Sequence, residues 1–262
     1  MGIITRNIMW DCQFGSQMSQ YASLIAIGNK TNLEPCFLPN QNIIISEPFI
    51  HKPKLINYDV NNLKTLININ CEFDPNLFLL NSNINYNIIG DLSNFKYFDD
   101  IRDKIIKIYT FNEIIKNCCI NIINQIKQQD EILVSIHFRK KDYLIVSSLN
   151  LSLNYYNEAI KVIETMFFDK KIKYLIFSDD IEWVENNFKP NNCIYIKNLD
   201  KYEDMCLMSM CDHNIIANSS FSWWAAYLNK NAKVICPYYY TKTQYGLDGN
   251  YFPKDWISLN IC

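Results

Sequence analysis

Between residues 131 and 237, apolar runs of strand length alternate with segments of helical period, and no other feature limits the fold so tightly. Ile132-Leu133-Val134-Ser135-Ile136-His137 is short, apolar and β-branched, as a strand buried on both faces should be. Tyr156, Ile160, Ile163 and Phe167 then recur at helical spacing, with Asn154 placed as the cap. A second strand spans 174–177, and a short helix through Ile181, Val184 and Phe188 closes at Pro190. A third strand spans 193–196. Asp200 and Glu203 form a capping-box pattern that opens a helix over 202–211. A strand over 214–217, a helix over 221–229 and a strand over 233–236 complete the series. Strands and helices in strict alternation predict an open parallel sheet with helices on both faces, an α/β unit.

The first 130 residues are less regular. Residues 3–9 read as a strand, 11–15 as an irregular turn, and Ser16 as the cap of a helix through Met18, Tyr21, Ala22, Ile25 and Ala26. Residues 40–95 are Asn-rich and weakly periodic, and yield no assignment. The stripe Phe111, Ile114, Ile115, Cys118, Ile122, Ile126 predicts an amphipathic helix leading into the regular half. No internal repeat or long Gly/Ser linker separates the halves. The division is therefore expected at a compact hinge near Asp130, giving domains 1–130 and 131–262.

Composition narrows the partners. With 25 Lys+Arg against 27 Asp+Glu the net charge is −2, so the chain lacks the basic excess of a nucleic-acid binder. Ten cysteines form no C-x-x-C, and only three histidines are present, which leaves little for a zinc site. Most of the cysteines sit in apolar runs, where the thiol acts as a small hydrophobe in a reducing compartment. The first ten residues hold no uninterrupted apolar segment, and no stretch approaches the ~18 residues of a membrane span. A soluble, cytoplasmic protein is expected.

In open parallel sheets, ligands bind beyond the carboxyl ends of the strands. Polar residues gather at four such ends here: His137 and Arg139, Ser178-Asp179-Asp180, Lys197-Asn198, and Asn218-Ser219-Ser220. Arg139 suits a bidentate fork on phosphate oxygens, Lys140 a point charge, and Asp142 a proton acceptor or an orienter of the cations. The plain alternative is a solvated basic loop. Asn218-Ser219-Ser220-Phe221-Ser222 lies where a strand turns into a helix, so free N–H groups and hydroxyls suit a diphosphate. The same geometry is also an ordinary N-cap. Ser178-Asp179-Asp180 invites a metal, through its paired carboxylates, or hydrogen bonding to a ribose or sugar, with Asp180 also suited to a helix N-terminus. With cations present for a diphosphate, no metal is required. No G-x-G-x-x-G and no Walker A motif follows any strand.

Four segments now resemble the α-1,2-fucosyltransferases of glycosyltransferase family 11. Gln13-Phe14-Gly15-Ser16-Gln17-Met18-Ser19-Gln20-Tyr21-Ala22 resembles the family's GLGNQMFQYA. Residues 134–143 resemble its strand and H-x-R-R-x-D motif. Phe177-Ser178-Asp179-Asp180-Ile181-Glu182-Trp183-Val184 is similar to its FSDDIEWV stretch. His213-Asn214-Ile215-Ile216-Ala217-Asn218-Ser219-Ser220-Phe221-Ser222-Trp223-Trp224 is similar to its HNxIANSSFSWW. The resemblance implies a GT-B-like fold of two Rossmann-like domains, GDP-fucose as donor, and inverting, metal-independent transfer to an oligosaccharide acceptor, with an α-1,2 linkage to terminal galactose. It puts the acceptor side on 1–130 and the donor side on 131–262. Arg139 would hold the β-phosphate, with His137 near the nucleoside. Asp204 would bind guanine, and Ser219, Ser220 and the following backbone would cradle the diphosphate. Gly15, Ser16 and Gln17 would form a loop facing the cleft.

The chain departs from the family in places that bear on function. Lys140 stands where the motif has its second Arg, Lys141 replaces a common Gly, Cys12-Gln13 replaces Gly-Gly, and Ser16 replaces Asn. These changes keep two alternatives open: a transferase for another nucleotide-activated deoxysugar, and a GDP-sugar-binding protein without transfer. The catalytic base is Asp142 by family position, or Asp11 in the altered loop.

Overall fold

The named strands all pair in parallel, and they form two sheets. The computed structural model describes residues 2–6, 13–39, 41–68, 72–146, 149–240 and 251–260. These fall into two units, Met1–Asn112 and Glu113–Cys262.

The first unit contains β1 (Ile3–Arg6), α1 (Phe14–Thr31), β2 (Glu34–Cys36), β3 (Lys64–Asn68), β4 (Tyr86–Gly90) and α2 (Arg102–Ile108). Its four strands lie in the order β2-β1-β4-β3. Helix α1 starts at Phe14, two residues before the expected cap, and Asn32 in the left-handed region ends it. Gly28 is required by packing, because a Cβ there would meet the Leu33 carbonyl oxygen at 2.5 Å. Strands β3 and β4 fall within the Asn-rich stretch that gave no assignment.

The second unit begins with α3 (Glu113–Ile126) and β5 (Glu131–Phe138), then α4 (Lys141–Ile145), α5 (Leu153–Met166), β6 (Lys171–Ser178) and α6 (Ile181–Asn187). It continues with β7 (Cys193–Tyr195), α7 (Lys201–Ser209), β8 (His213–Ile215), α8 (Ser220–Leu228), β9 (Val234–Pro237) and β10 (Ile257–Leu259). The strand order is β10-β9-β8-β5-β6-β7. The five expected strands are present, and a sixth, β10, extends the sheet. The N-cap of α5 is Ser152, whose hydroxyl accepts from the Tyr155 N–H, and not the expected Asn154.

The units divide at 112/113, so α3 belongs to the sheet it precedes and not to the segment before a hinge at 130. Its buried Cys119 thiol donates to the Glu203 carbonyl in α7 at 3.4 Å. That apolar stripe found its partner on the C-terminal side.

The two faces of the sheet follow from the period of two along β5. Val134, Ile136 and Phe138 pack with Tyr155, Tyr156, Ala159 and Ile163 of α5. Ser135 points the other way, where Asn214 Nδ2 donates to its hydroxyl at 2.7 Å and to the Met208 carbonyl of α7 at 2.8 Å. Helices thus cover both faces, and the Ser135 and Asn214 side chains buried under α7 are paired with each other. On the α5 face, the Tyr155 hydroxyl donates to the carbonyls of Ile216, at 2.7 Å, and Ile235, at 3.3 Å. Tyr155→Phe is expected to lower stability by about 1–2 kcal/mol, the scale of a buried hydrogen bond lost with its acceptor left in place. A urea titration showing an unchanged midpoint would contradict this.

Cys36, Cys119, Cys206, Cys211 and Cys236 are buried free thiols. Among the described residues, no helix is long and apolar enough to cross a membrane.

Candidate active site

The sheet reverses its order of construction between β5 and β8: later strands are added outward through β6 and β7 on one side, and through β8 and β9 on the other. That point leaves a crevice beyond the strand ends, because the connections depart in opposite directions. Register puts Ile136 beside Ile215 and Phe138 beside Ser178. The polar residues after β5, β6 and β8 are therefore neighbours.

Arg139 leaves the end of β5 and meets two carboxylates. Its Nε lies 2.9 Å from Asp142 Oδ1 and its Nη2 donates to Asp142 Oδ2 at 3.1 Å, a bidentate fork. Its Nη1 lies 3.1 Å from Asp179 Oδ2, an ion pair without hydrogen-bond alignment. Burial alone would lower the guanidinium pKa, but the Asp142 hydrogen bond and the charges of Asp179 and Asp142 outweigh it and raise it. The guanidinium also lies over the Tyr143 ring, 5.7 Å from its centroid, and the Tyr143 hydroxyl donates to the Asn218 carbonyl at 3.2 Å. Tyr143 thus ties the end of β5 to the end of β8. The motif containing it was legible, but its role was not. Its place four residues after Arg139, on the turn of α4, is the signal that could have found it.

Lys140 does not present a charge to a ligand, contrary to expectation. It is 1% exposed. Its ammonium donates to Asn150 Oδ1 at 2.9 Å and to the Leu151 carbonyl at 3.1 Å, and lies 4.6 Å from the Trp183 ring centroid. Its backbone N–H donates to Asp179 Oδ1 at 2.7 Å. A lysine taken out of water needs such partners, and these three leave no donor directed to the crevice. Burial lowers its pKa, with Asp179 opposing.

Ser178 and Asp180 shape the turn into α6. Ser178 Oγ accepts from the Asp180 N–H at 3.0 Å, and the Asp180 carboxylate caps the helix through the Trp183 N–H at 3.2 Å. Asp179 is thereby turned toward Arg139. Among the described residues, no group of three or more His, Cys, Asp or Glu side chains is arranged to hold a metal ion.

At the end of β8, Ser219 is the N-cap of α8 and its hydroxyl accepts from the Phe221 N–H at 3.4 Å. Ser222 is fully buried and donates back to the Ala217 and Ser219 carbonyls at 3.4 Å, so it serves the turn. Asn218 is 2% exposed; its Nδ2 donates to the carbonyls of Leu149 and Tyr240, while its Oδ1 has no partner. His137 is 4% exposed and packs on Phe221 with ring centroids 5.5 Å apart. Burial, with help from Arg139, pushes its imidazole down to about 3, so it is neutral at physiological pH. Its Nδ1 also lacks a partner. Two orphaned buried polar atoms flanking the N-terminus of α8 mark a place prepared for something polar.

Asp204 is carried separately, on the first turn of α7. Burial, then the charges of Asp200 and Glu203, raise its carboxyl to about 7. In the first unit, Gly15, Ser16 and Gln17 form the first turn of α1 and not a loop. Both ends of the Gln17 amide are used internally: Nε2 donates to the Asn42 carbonyl at 2.8 Å, and Oε1 accepts from the Ile44 N–H at 3.0 Å. Asp11 and Cys12 lie outside the described residues.

Residues 3–260 match the family model for glycosyl transferase family 11. The chain belongs to glycosyltransferase family 11. It is 36% identical over 152 residues to the O-antigen biosynthesis glycosyltransferase WbnK of Escherichia coli, a match covering 52% of this chain and 50% of that one. It is 32% identical to an α-1,2-colitosyltransferase of E. coli, covering 53% and 50%. It is 21% identical to galactoside α-(1,2)-fucosyltransferase 1 of Plecturocebus brunneus, covering 86% and 65%. The chain spans about half the length of the two bacterial relatives it matches. Among solved structures, POFUT1 in complex with GDP-fucose is similar with a TM-score of 0.59 at 12% identity, over 88% of this chain and 96% of that one. The α-1,6-fucosyltransferase NodZ crystallised with GDP is similar with a TM-score of 0.57 at 14% identity, over 86% and 92%. At those identities the likeness concerns the fold, and it bears out the GT-B-like α/β class.

Proposed function

We propose that this member of family 11 transfers L-fucose from GDP-fucose to a hydroxyl of an oligosaccharide, with inversion, forming an α-1,2 linkage to terminal galactose. The observation that carries this reading is the cation of Arg139 beside the capped N-terminus of α8, at the one point where the sheet changes direction. The planar Nε/Nη2 fork of Arg139, which holds the Asp142 carboxylate by two oxygens, equally suits two phosphate oxygens. Ser219, Ser220 and the first N–H groups of α8 supply neutral donors and the positive end of the helix dipole. Together they stabilise the charge that develops on GDP as the sugar leaves, so no metal is needed for that step. The unpartnered Asn218 Oδ1 and His137 Nδ1 suit hydroxyl groups of the ribose or sugar. Asp204 suits guanine.

The match to an α-1,2-colitosyltransferase favours a second reading with the same chemistry, in which the donor carries another deoxysugar. Thermal-shift titration with GDP and UDP, followed by transfer from GDP-fucose and GDP-colitose to a terminal β-galactoside, tests both. GDP should stabilise the protein and UDP should not. Transfer should proceed at an unchanged rate in EDTA. Strict dependence on Mn²⁺ would contradict the metal-free reading, and GDP binding without transfer of either sugar would reduce the protein to a binder.

A further inference from the structure

The guanidinium of Arg139 is already engaged before any nucleotide arrives, and the two carboxylates that engage it are not equivalent. Asp179 has a side chain 17% exposed, and its other oxygen is fixed by the Lys140 N–H at 2.7 Å. Lys140 is in turn anchored to Asn150 and Leu151. Asp142 sits on the turn of α4 with its side chain 58% exposed, and it is held by Arg139 through the Nε/Nη2 fork. A planar carboxylate in that fork has the geometry of a phosphate held by two oxygens.

We propose that Asp142 is a stand-in for the diphosphate: it occupies the Arg139 fork in the free enzyme, yields it when GDP-sugar binds, and then serves as the base that deprotonates the acceptor. This rests on the donor reading given above. The magnitudes decide which carboxylate gives way. An exposed ion pair contributes little to stability, whereas a doubly charged diphosphate gains from the guanidinium and the helix end together. Asp179, braced by a backbone amide, stays and keeps the guanidinium oriented. Asp142, released from the fork, has both carboxylate oxygens free to accept a proton. The acceptor oxygen then bonds to C1 of the sugar. The C1–O bond to the β-phosphate breaks, its electron pair leaves with GDP, and the acceptor proton passes to Asp142. Donor binding therefore precedes activation of the acceptor.

Asp142→Asn separates this from a purely orienting role; the side chain is exposed, so the variant should fold, which a thermal melt checks. GDP titrated by calorimetry into the wild type and the variant should bind the variant as tightly or up to about fivefold more tightly, since the competing carboxylate is gone; fivefold is ~1 kcal/mol. Single-turnover transfer from GDP-fucose to a β-galactoside should fall by about 10²–10⁴-fold. Weaker GDP binding by Asp142→Asn would make Asp142 an orienter of Arg139 and overturn the proposal, as would transfer that survives. A wild type that does not bind GDP would instead overturn the donor reading itself, so the two failures are distinguishable.

Discussion

Arg139→Ala should fold, melt within a few degrees of the wild type, and lose transfer by about 10²–10³-fold. The expected loss is that of one preorganised donor aimed at developing charge, about 3–4 kcal/mol. The fold should survive because the Arg139 side chain is about a third exposed and Asp179 keeps its bond to the Lys140 N–H. Arg139→Lys is the sharper variant. An ammonium restores the charge but not the planar fork, so it should recover only part of the rate. A steady-state assay shows whether the loss lies in kcat, as a contact made mainly in the transition state requires, or in KM alone. Full activity in Arg139→Ala would remove the anion-stabilising role from this position.

The same residues show what the sequence could reveal. The C-terminal sheet was legible because its strands are buried on both faces and read as continuous apolar runs, and each polar cluster fell at a strand end. The register that joins those ends was not legible; it depends on β8 crossing back to lie beside β5. Lys140 was misjudged for a related reason. Adjacent residues after a strand point in opposite directions, so of two neighbouring cations only one could face the crevice. The other was taken inward by Asn150 and Trp183, which lie ten residues or more away in the chain. Gln17 followed the same rule, because its amide is consumed by residues 42–44 in a stretch with no readable period. Strands β3 and β4 escaped notice because asparagine occupies ladder positions such as Asn87, which is buried. Chemistry carried on a regular element was readable, whereas partners supplied by irregular chain were not.

Asp204→Asn should produce two opposite effects at once: a more stable protein and a much weaker nucleotide site. The carboxyl titrates near 7 in the fold and near 4 in the unfolded chain, because burial and the neighbouring Asp200 and Glu203 disfavour its charge. The sign follows from linkage. Below about pH 4 the group is neutral in both states and costs nothing. As pH rises through the window from 4 to 7 the unfolded chain ionises first, so stability falls, and above 7 the penalty is constant. A shift of this size corresponds to at most ~4 kcal/mol, and about 1–3 kcal/mol after allowing for the part of the side chain that water reaches. Asparagine removes the penalty, so the variant should melt several degrees higher at pH 8 and no differently at pH 4. If Asp204 receives the two N–H donors of guanine, the same substitution replaces an acceptor pair by an amide that can satisfy only one of them. GDP affinity should then fall by about 30- to 100-fold, the worth of a charge-assisted bidentate contact. In the wild type, GDP affinity should weaken about tenfold per pH unit below 7, and binding at pH 7 should release protons, measurable by calorimetry in buffers of different ionisation enthalpy. A variant that is more stable yet binds GDP normally would leave the pH linkage standing and move guanine recognition elsewhere. A variant that is less stable would contradict the linkage itself.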